Sequence, residues 1–405
     1  MELNVTMWLA FSMMALAMLS LHCTGQLLPQ TLVLSNKTAA STQSSKYLPL
    51  YKCNSSAQTK ALKQRFSQSP LPQDGSNCPT WGYFIAALYR ADPRPDDKLM
   101  VSVGFCKGYN AVQFLGVWGT VSSKALTFDN WAKQLSAMHD QNRVVSEYVC
   151  GQCKECLDRL YLLPNVLPPR IDALALRDAQ EQRSLNISQS RLTLPHFIGI
   201  DANPRNVHSL HRIARTYALP IMAINVLVSN QTAPDIWLEP QHWGDDSPFL
   251  LPVPADAPEA TPVPVRSLDD VMAELHTNET LSIARPISIL AIDTGMDQEV
   301  LRGAESLLRS RRVRVLIFTW AGTWAPGRTL QTVVQDVAEV GAMSCYLLGS
   351  SKVWKLTSGC WDGVYGQRRG GNVACVRSGD VWERVLDSLC VRVRAKDLWG
   401  RPQFV

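Results

Sequence analysis

Runs of apolar residues separated by glycine turns and helix-spaced apolar positions dominate the chain from about residue 99 onward. VSVGF at 101–105 reads as a buried strand entering a turn with glycines at Gly104 and Gly108, followed by a segment of helical potential. HFIGIDANP at 196–204 reads as its partner strand. After residue 266 the pattern becomes regular. SLDDVMAEL predicts a helix, ISILAID a strand, MDQEVLRGAESLLRS a helix, VRVLIFTW a strand and LQTVVQDVAEVGA a helix, with CYLLG and GNVACV as short strands. Alternation of strands with helices predicts an α/β domain whose mainly parallel sheet carries helices on both faces.

The N-terminal part is different. Residues 7–21 form one apolar run, shorter than the ~20 residues of a comfortable membrane span. Small residues at Cys23 and Gly25 suit cleavage after Gly25, so 1–25 reads as a secretory signal peptide, with a short membrane anchor as the alternative. Residues 26–75, rich in Ser, Thr and Gln, read as a stem or linker, and a domain is expected over 76–405, opening near Cys78. The spacing between the first two core strands exceeds that of a simple βαβ unit, so an insertion is expected at about 120–195. A Pro- and acid-rich stretch at about 232–265 reads as a loop without regular structure.

Composition is that of an ordinary globular protein, 46% hydrophobic with a net charge of +5 over 405 residues. The basic knot Arg309, Arg311, Arg312 and Arg314 reads as a solvated helix end, because no stacking aromatics interleave it, and nucleic acid is not an expected partner. Eleven cysteines fall to ten without the signal, an even number suited to disulfides in an oxidising lumen. Asn4, Asn36, Asn54, Asn186, Asn230 and Asn278 each open an Asn-X-Ser/Thr triplet, which agrees with the secretory pathway. Cys150, Cys153 and Cys156 fit disulfides, half of a zinc signature, or reactive thiols.

Residues 99–376 resemble the FkbM family of S-adenosylmethionine-dependent methyltransferases, in a divergent, algal-type form. The resemblance is carried by Ser102-Val103-Gly104-Phe105-Cys106-Lys107-Gly108-Tyr109, by Ile200-Asp201-Ala202-Asn203-Pro204 and by Leu268-Asp269 before the strand ending at Asp293. Cys345-Tyr346, Gly359-Cys360-Trp361 and Asn372-Val373-Ala374-Cys375 follow in the family's order.

This resemblance implies a Rossmann-like class I methyltransferase sheet with S-adenosyl-L-methionine as cofactor. Gly104, Lys107, Gly108, Asp201 and Asn203 would bind it, with Asp201 accepting both ribose hydroxyls. The alternative for Asp201 and for Asp293 is a helix cap. Proton removal from an acceptor hydroxyl would fall to Asp293 or His196, while His208 and His211 read as decoration of one helix face.

Cys106 replaces an Asn of the family pattern in the glycine turn, and three of the pattern's carboxylates are missing. Ser102 replaces an acid, no Glu follows Thr294, and Thr319 stands where a Glu is expected. The expected function is therefore an O-methyltransferase of the secretory pathway acting on a glycan or small-molecule hydroxyl. The alternatives are an inactive methyltransferase fold acting as a secreted binding module, and a purely structural matrix protein.

Overall fold

The computed structural model describes residues 53, 56–67, 81–94, 98–118, 128–138, 195–238, 253–257, 260–277, 285–320, 328–349, 353–366 and 370–390. The signal or anchor, most of the stem and the cysteines at 150, 153 and 156 lie outside these residues; within 26–75, Cys53 and a helix at Ser56–Ser67 are described, so that part of the expected stem belongs to the fold. Among the described residues no helix is long and apolar enough to cross a membrane.

Eight strands form one sheet. In chain order they are β1 (Leu99–Val103), β2 (His196–Asp201), β3 (Ile221–Asn225), β7 (Ile287–Ile292), β8 (Val313–Trp320), β9 (Met343–Leu348), β10 (Val353–Lys355) and β11 (Gly371–Arg377). Their spatial order is β10-β9-β11-β8-β7-β1-β2-β3. β3, β2, β1, β7 and β8 pair in parallel, and β11 runs antiparallel between β8 and β9. The chain thus fills β1, β2 and β3 outward in one direction, then returns to the other side of β1 with β7. Such a reversal leaves a crevice at the carboxyl ends of β1 and β7, because the connections leaving those two strands diverge.

The continuous apolar runs of the sequence become the strands buried on both faces. All positions of β1, β7 and β9 are buried, as strands covered on each face by helices require. Alternate residues feed two cores. Val101, Val103, Leu290, Ile292, Leu316 and Phe318 face one; Met100, Ile289, Ala291, Val315 and Ile317 face the other. The first core is closed by α6 (Leu268–Thr277), α7 (Asp297–Arg302), α8 (Glu305–Arg309) and α9 (Leu330–Gly341). The second is closed by α2 (Trp81–Ala91), α3 (Tyr109–Trp118), α4 (Phe128–Met138), α5 (Pro204–Thr216) and α11 (Val381–Cys390). The α/β class with helices on both faces is therefore as expected.

Two expectations are corrected. The stretch at 232–265 is not wholly irregular. β5 (Ala233–Leu238) and β6 (Thr261–Ser267) join β4 (Leu227–Ser229) in a small sheet of order β4-β6-β5. The prolines of β6 are tolerated because Pro262 pairs only with Trp237 of β5, while β4 pairs with β6 over 265–267, and Pro264 sits opposite an irregularity in β5. The helix expected over 296–310 is two short ones, α7 and α8, broken at Gly303. A Cβ there would stand 2.1 Å from the Ser229 carbonyl oxygen. The Gly303 carbonyl accepts the Asp269 N–H at 2.8 Å, so the break docks the small sheet and α6.

The amino edge of the sheet is closed by buried charge. Asp92 accepts Lys98 Nζ and Arg314 Nη1, each at 3.1 Å, and Arg314 also pairs with Asp380 at 2.8 Å while lying 3.9 Å over the Trp382 ring. Arg314 thereby leaves the solvated basic knot. Burial alone would raise the Asp92 carboxyl, but hydrogen bonds from Arg94, Lys98 and Arg314 hold it down at about 2.

Two disulfides occur among the described residues. Cys345–Cys375 links directly opposed positions of β9 and β11, and Cys53–Cys360 fastens the segment carrying α1 (Ser56–Ser67) to the loop after β10. Phe66 of α1 then stacks edge-on against Trp354 and Tyr365. Tyr365 belongs to α10 (Gly363–Gly366). Disulfides suit the oxidising secretory environment read from the sequence.

Candidate functional site

The two segments that the sequence pattern singled out meet at the crevice. The Gly104 N–H donates to the Ile200 carbonyl at 2.8 Å, and the Asp293 N–H donates to the Val103 carbonyl at 3.0 Å, so the β1 turn is held between the ends of β2 and β7. Gly104 has φ +75°, and a Cβ on it would lie 2.1 Å from the Asp293 carbonyl oxygen. Only glycine permits both the left-handed backbone and that approach. Gly108, at φ +73°, packs where a Cβ would be 3.0 Å from the Trp131 ring and 3.1 Å from Leu210 Cδ1.

Trp131, on α4, also donates its indole N–H to the Lys107 carbonyl at 2.8 Å. The first helix of the region expected as an insertion thus buttresses the glycine turn. Lys107 is itself buried, at 5% exposure. Cys106, with φ +50°, is half-buried at the apex of the turn and belongs to neither disulfide.

Asp201 closes the other side of the turn. Its Oδ2 accepts the Cys106 N–H at 3.0 Å and the Asn206 amide at 3.2 Å, and its Oδ1 accepts the Asn203 N–H at 2.8 Å. Burial pushes its carboxyl up to about 6, against the hydrogen bonds from Asn203, Cys106 and Asn206. The cap of α5 is Asn203, whose side chain accepts the Arg205 N–H at 3.0 Å. Asp201 is not that cap. A carboxylate has roughly four acceptor positions, and these three bonds leave one for a ligand hydroxyl, where the sequence reading expected two.

Asp293 lies at the end of β7 and accepts the Thr319 hydroxyl at 3.1 Å. α7 has Met296 at its cap position with no side-chain bond, so Asp293 does not act as that cap. The Thr319 hydroxyl also stands 3.2 Å from Asn372 Oδ1. A hydroxyl has one proton, so donation to Asp293 requires Asn372 to turn its NH2 toward Thr319. On the neighbouring strand Ser102, 1% exposed, accepts the Asn110 amide at 3.3 Å. Ser102, Asp293, Thr319 and Asn372 form a polar row across four strands at the carboxyl edge, on the face covered by α3.

The remaining candidates are not brought to this row. His196 stands at the amino end of β2, roughly 16 Å along the strand from Asp201 at ~3.3 Å per residue, with Nδ1 2.8 Å from Arg285 Nη1. His208 and His211 are exposed on one face of α5, as expected. Among the described residues no cluster of His, Cys, Asp and Glu could hold a metal ion.

One residue of the site was missed in the sequence. Asp297, 1% exposed, accepts the Thr294 N–H at 2.8 Å and the Thr294 hydroxyl at 3.1 Å on Oδ1, and the Thr319 N–H at 2.7 Å on Oδ2. Burial pushes its carboxyl up to about 6, against those amide bonds. Its only sequence signal is an acid at a helix start, which reads as ordinary first-turn chemistry.

No protein-family model, no curated protein and no solved structure matches this chain.

Proposed function

We propose that the chain is an S-adenosylmethionine-dependent O-methyltransferase of the secretory pathway, acting on a hydroxyl of a glycan or small polyhydroxylated molecule. One observation carries the reading. The glycine turn after β1 and the carboxylate ending β7 are in backbone contact at the crevice where the strand order reverses, the place where open α/β sheets bind ligands. The sheet supports the finer, Rossmann-like class I reading as well. Five strands pair in parallel, helices cover both faces, and the strand order reverses at β1.

The residues present fit the cofactor. The backbone of Gly104 to Gly108, with Lys107 within it, and Asp201 would hold it, Asp201 through the one acceptor position left for a ribose hydroxyl. Asn203 acts behind them by fixing Asp201. S-adenosylmethionine, when bound, supplies a methyl group already activated on a sulfonium. The chain's own task is alignment and proton removal. Asp293 takes the proton of the acceptor hydroxyl. Thr319, which donates to one Asp293 oxygen, fixes the orientation of that carboxylate. Ser102, Asn110 and Asn372 offer neutral donors and acceptors, a lining suited to hydroxyl groups.

The second reading, a binding module without chemistry, is favoured by Ser102 and Thr319, which put no charge where the family pattern has acids. Transfer of isotope-labelled methyl from S-adenosylmethionine to a panel of glycans separates the two. The enzyme reading expects label on a hydroxyl and its loss in Asp293→Asn. Glycan binding without any transfer would leave the module.

A further inference from the structure

The buried carboxylate of Asp297 has no use in the scheme above. Among the described residues it has no ion pair, although it is 1% exposed. Carboxylates removed from water are costly without a cation, and natural folds retain them where they hold something in place. Asp297 accepts from both ends of a gap. One oxygen takes the N–H and hydroxyl of Thr294, in the turn directly after Asp293. The other takes the N–H of Thr319, at the end of the adjacent strand. Thr294 is further fixed because its hydroxyl accepts the Met296 N–H at 3.1 Å. The same Thr319 presents its hydroxyl to Asp293. The Asp297 carboxylate therefore ties the turn directly after Asp293 to the strand end that carries the Thr319 hydroxyl.

We infer that Asp297 is the positioning residue of this site, clamping the β7 turn to the end of β8 so that Asp293 and Thr319 face each other. This inference rests on the methyltransferase reading, because it assigns Asp297 to the ligand site rather than to the core alone.

A residue that acts through Asp293 loses its effect once Asp293 is disabled, whereas a residue that only supports the fold does not. The test is a double-mutant cycle on the rate of labelled-methyl transfer, with S-adenosylhomocysteine affinity by calorimetry as the control for fold and cofactor binding, using the full chain, Asp297→Asn, Asp293→Asn and the double variant. Asn at 297 keeps the shape, but directs NH2 at an N–H. The expected result is a tenfold or greater loss of transfer rate in each single variant, no further loss in the double variant, and S-adenosylhomocysteine affinity within twofold of the unmutated chain throughout. Thr319→Val keeps the backbone bond to Asp297 and removes only the hydroxyl. It is expected to lower the transfer rate in the same non-additive way, and it carries the cycle should Asp297→Asn fail to fold.

Losses that multiply across the two sites, or an unchanged transfer rate in both Asp297→Asn and Thr319→Val, overturn the positioning role while leaving the methyltransferase reading intact. Absence of both cofactor binding and transfer by the unmutated chain overturns that reading, and this inference with it.

Discussion

Gly104→Ala tests the contact on which the site is built. A non-glycine residue in the left-handed region costs about 1–2 kcal/mol, and Gly104 has φ +75°. The new Cβ would also stand 2.1 Å from the Asp293 carbonyl oxygen and 2.9 Å from Thr294 Cγ2. Backbone on both sides is fixed by the bonds from Gly104 to Ile200 and from Asp293 to Val103, so relief requires β1 and β7 to part. Overpacking of this kind adds about 1–3 kcal/mol, for a total of about 2–5 kcal/mol. Gly379→Ala is the control. Its φ is +85° and nothing lies within 4 Å of the added Cβ, so only the backbone cost of about 1–2 kcal/mol applies. Urea unfolding of the three proteins reads the difference directly. Equal destabilisation by the two substitutions, within about 0.5 kcal/mol, would refute the close approach of the β1 turn to Asp293.

Other perturbations have defined outcomes. A carboxyl raised to about 6 binds its proton more tightly in the fold than in the unfolded chain, so Asp201 favours the fold below pH 4 and loses that contribution as pH rises to 6. Replacing it by Asn should therefore shift the stability difference from the parent in the variant's favour by up to about 3 kcal/mol between pH 4 and pH 7; a flat difference counts against the buried, amide-bound carboxylate. Asp92, lowered to about 2, behaves oppositely: its contribution is present above pH 4 and lost as pH falls toward 2, so Asp92→Asn should flatten the acid limb of the unfolding curve. Cys53→Ser with Cys360→Ser opens a link spanning 307 residues and should lower stability by about 2–5 kcal/mol, with early proteolysis before residue 81; unchanged cleavage would show that Phe66 packing alone holds α1. Asn230 is exposed in the turn after β4, and in chain made through a eukaryotic secretory pathway it should carry a glycan that peptide-N-glycosidase removes and Asn230→Gln abolishes.

The core of the fold was legible because its signals are local. ISILAID and VRVLIFTW are continuous apolar runs, and strands buried on both faces require nothing else. Gly104 and Gly108 announced a turn that the structure shows at φ above +70°. The features that escaped depend on distant partners. The break at Gly303 is imposed by the Ser229 carbonyl, far away in sequence. The proline-containing β6 becomes a strand because Pro262 has a partner on one side only and Pro264 sits opposite an irregularity in β5. Asp201 showed as an acid ending a strand, but its occupation by the Cys106, Asn203 and Asn206 donors is a tertiary fact. His196 read as a neighbour of the second motif, yet a strand's length separates its two ends. Asp297 carried no pattern beyond a helix start, and its role depends on Thr319 in the next strand.

The most direct measurement is calorimetric titration of the purified 26–405 segment with S-adenosylmethionine and S-adenosylhomocysteine, with Asp201→Ala as the control. Saturable binding in the micromolar range, lost in the variant, is the predicted result. No heat of binding at millimolar ligand would contradict the methyltransferase account and leave an α/β binding protein built on the same sheet.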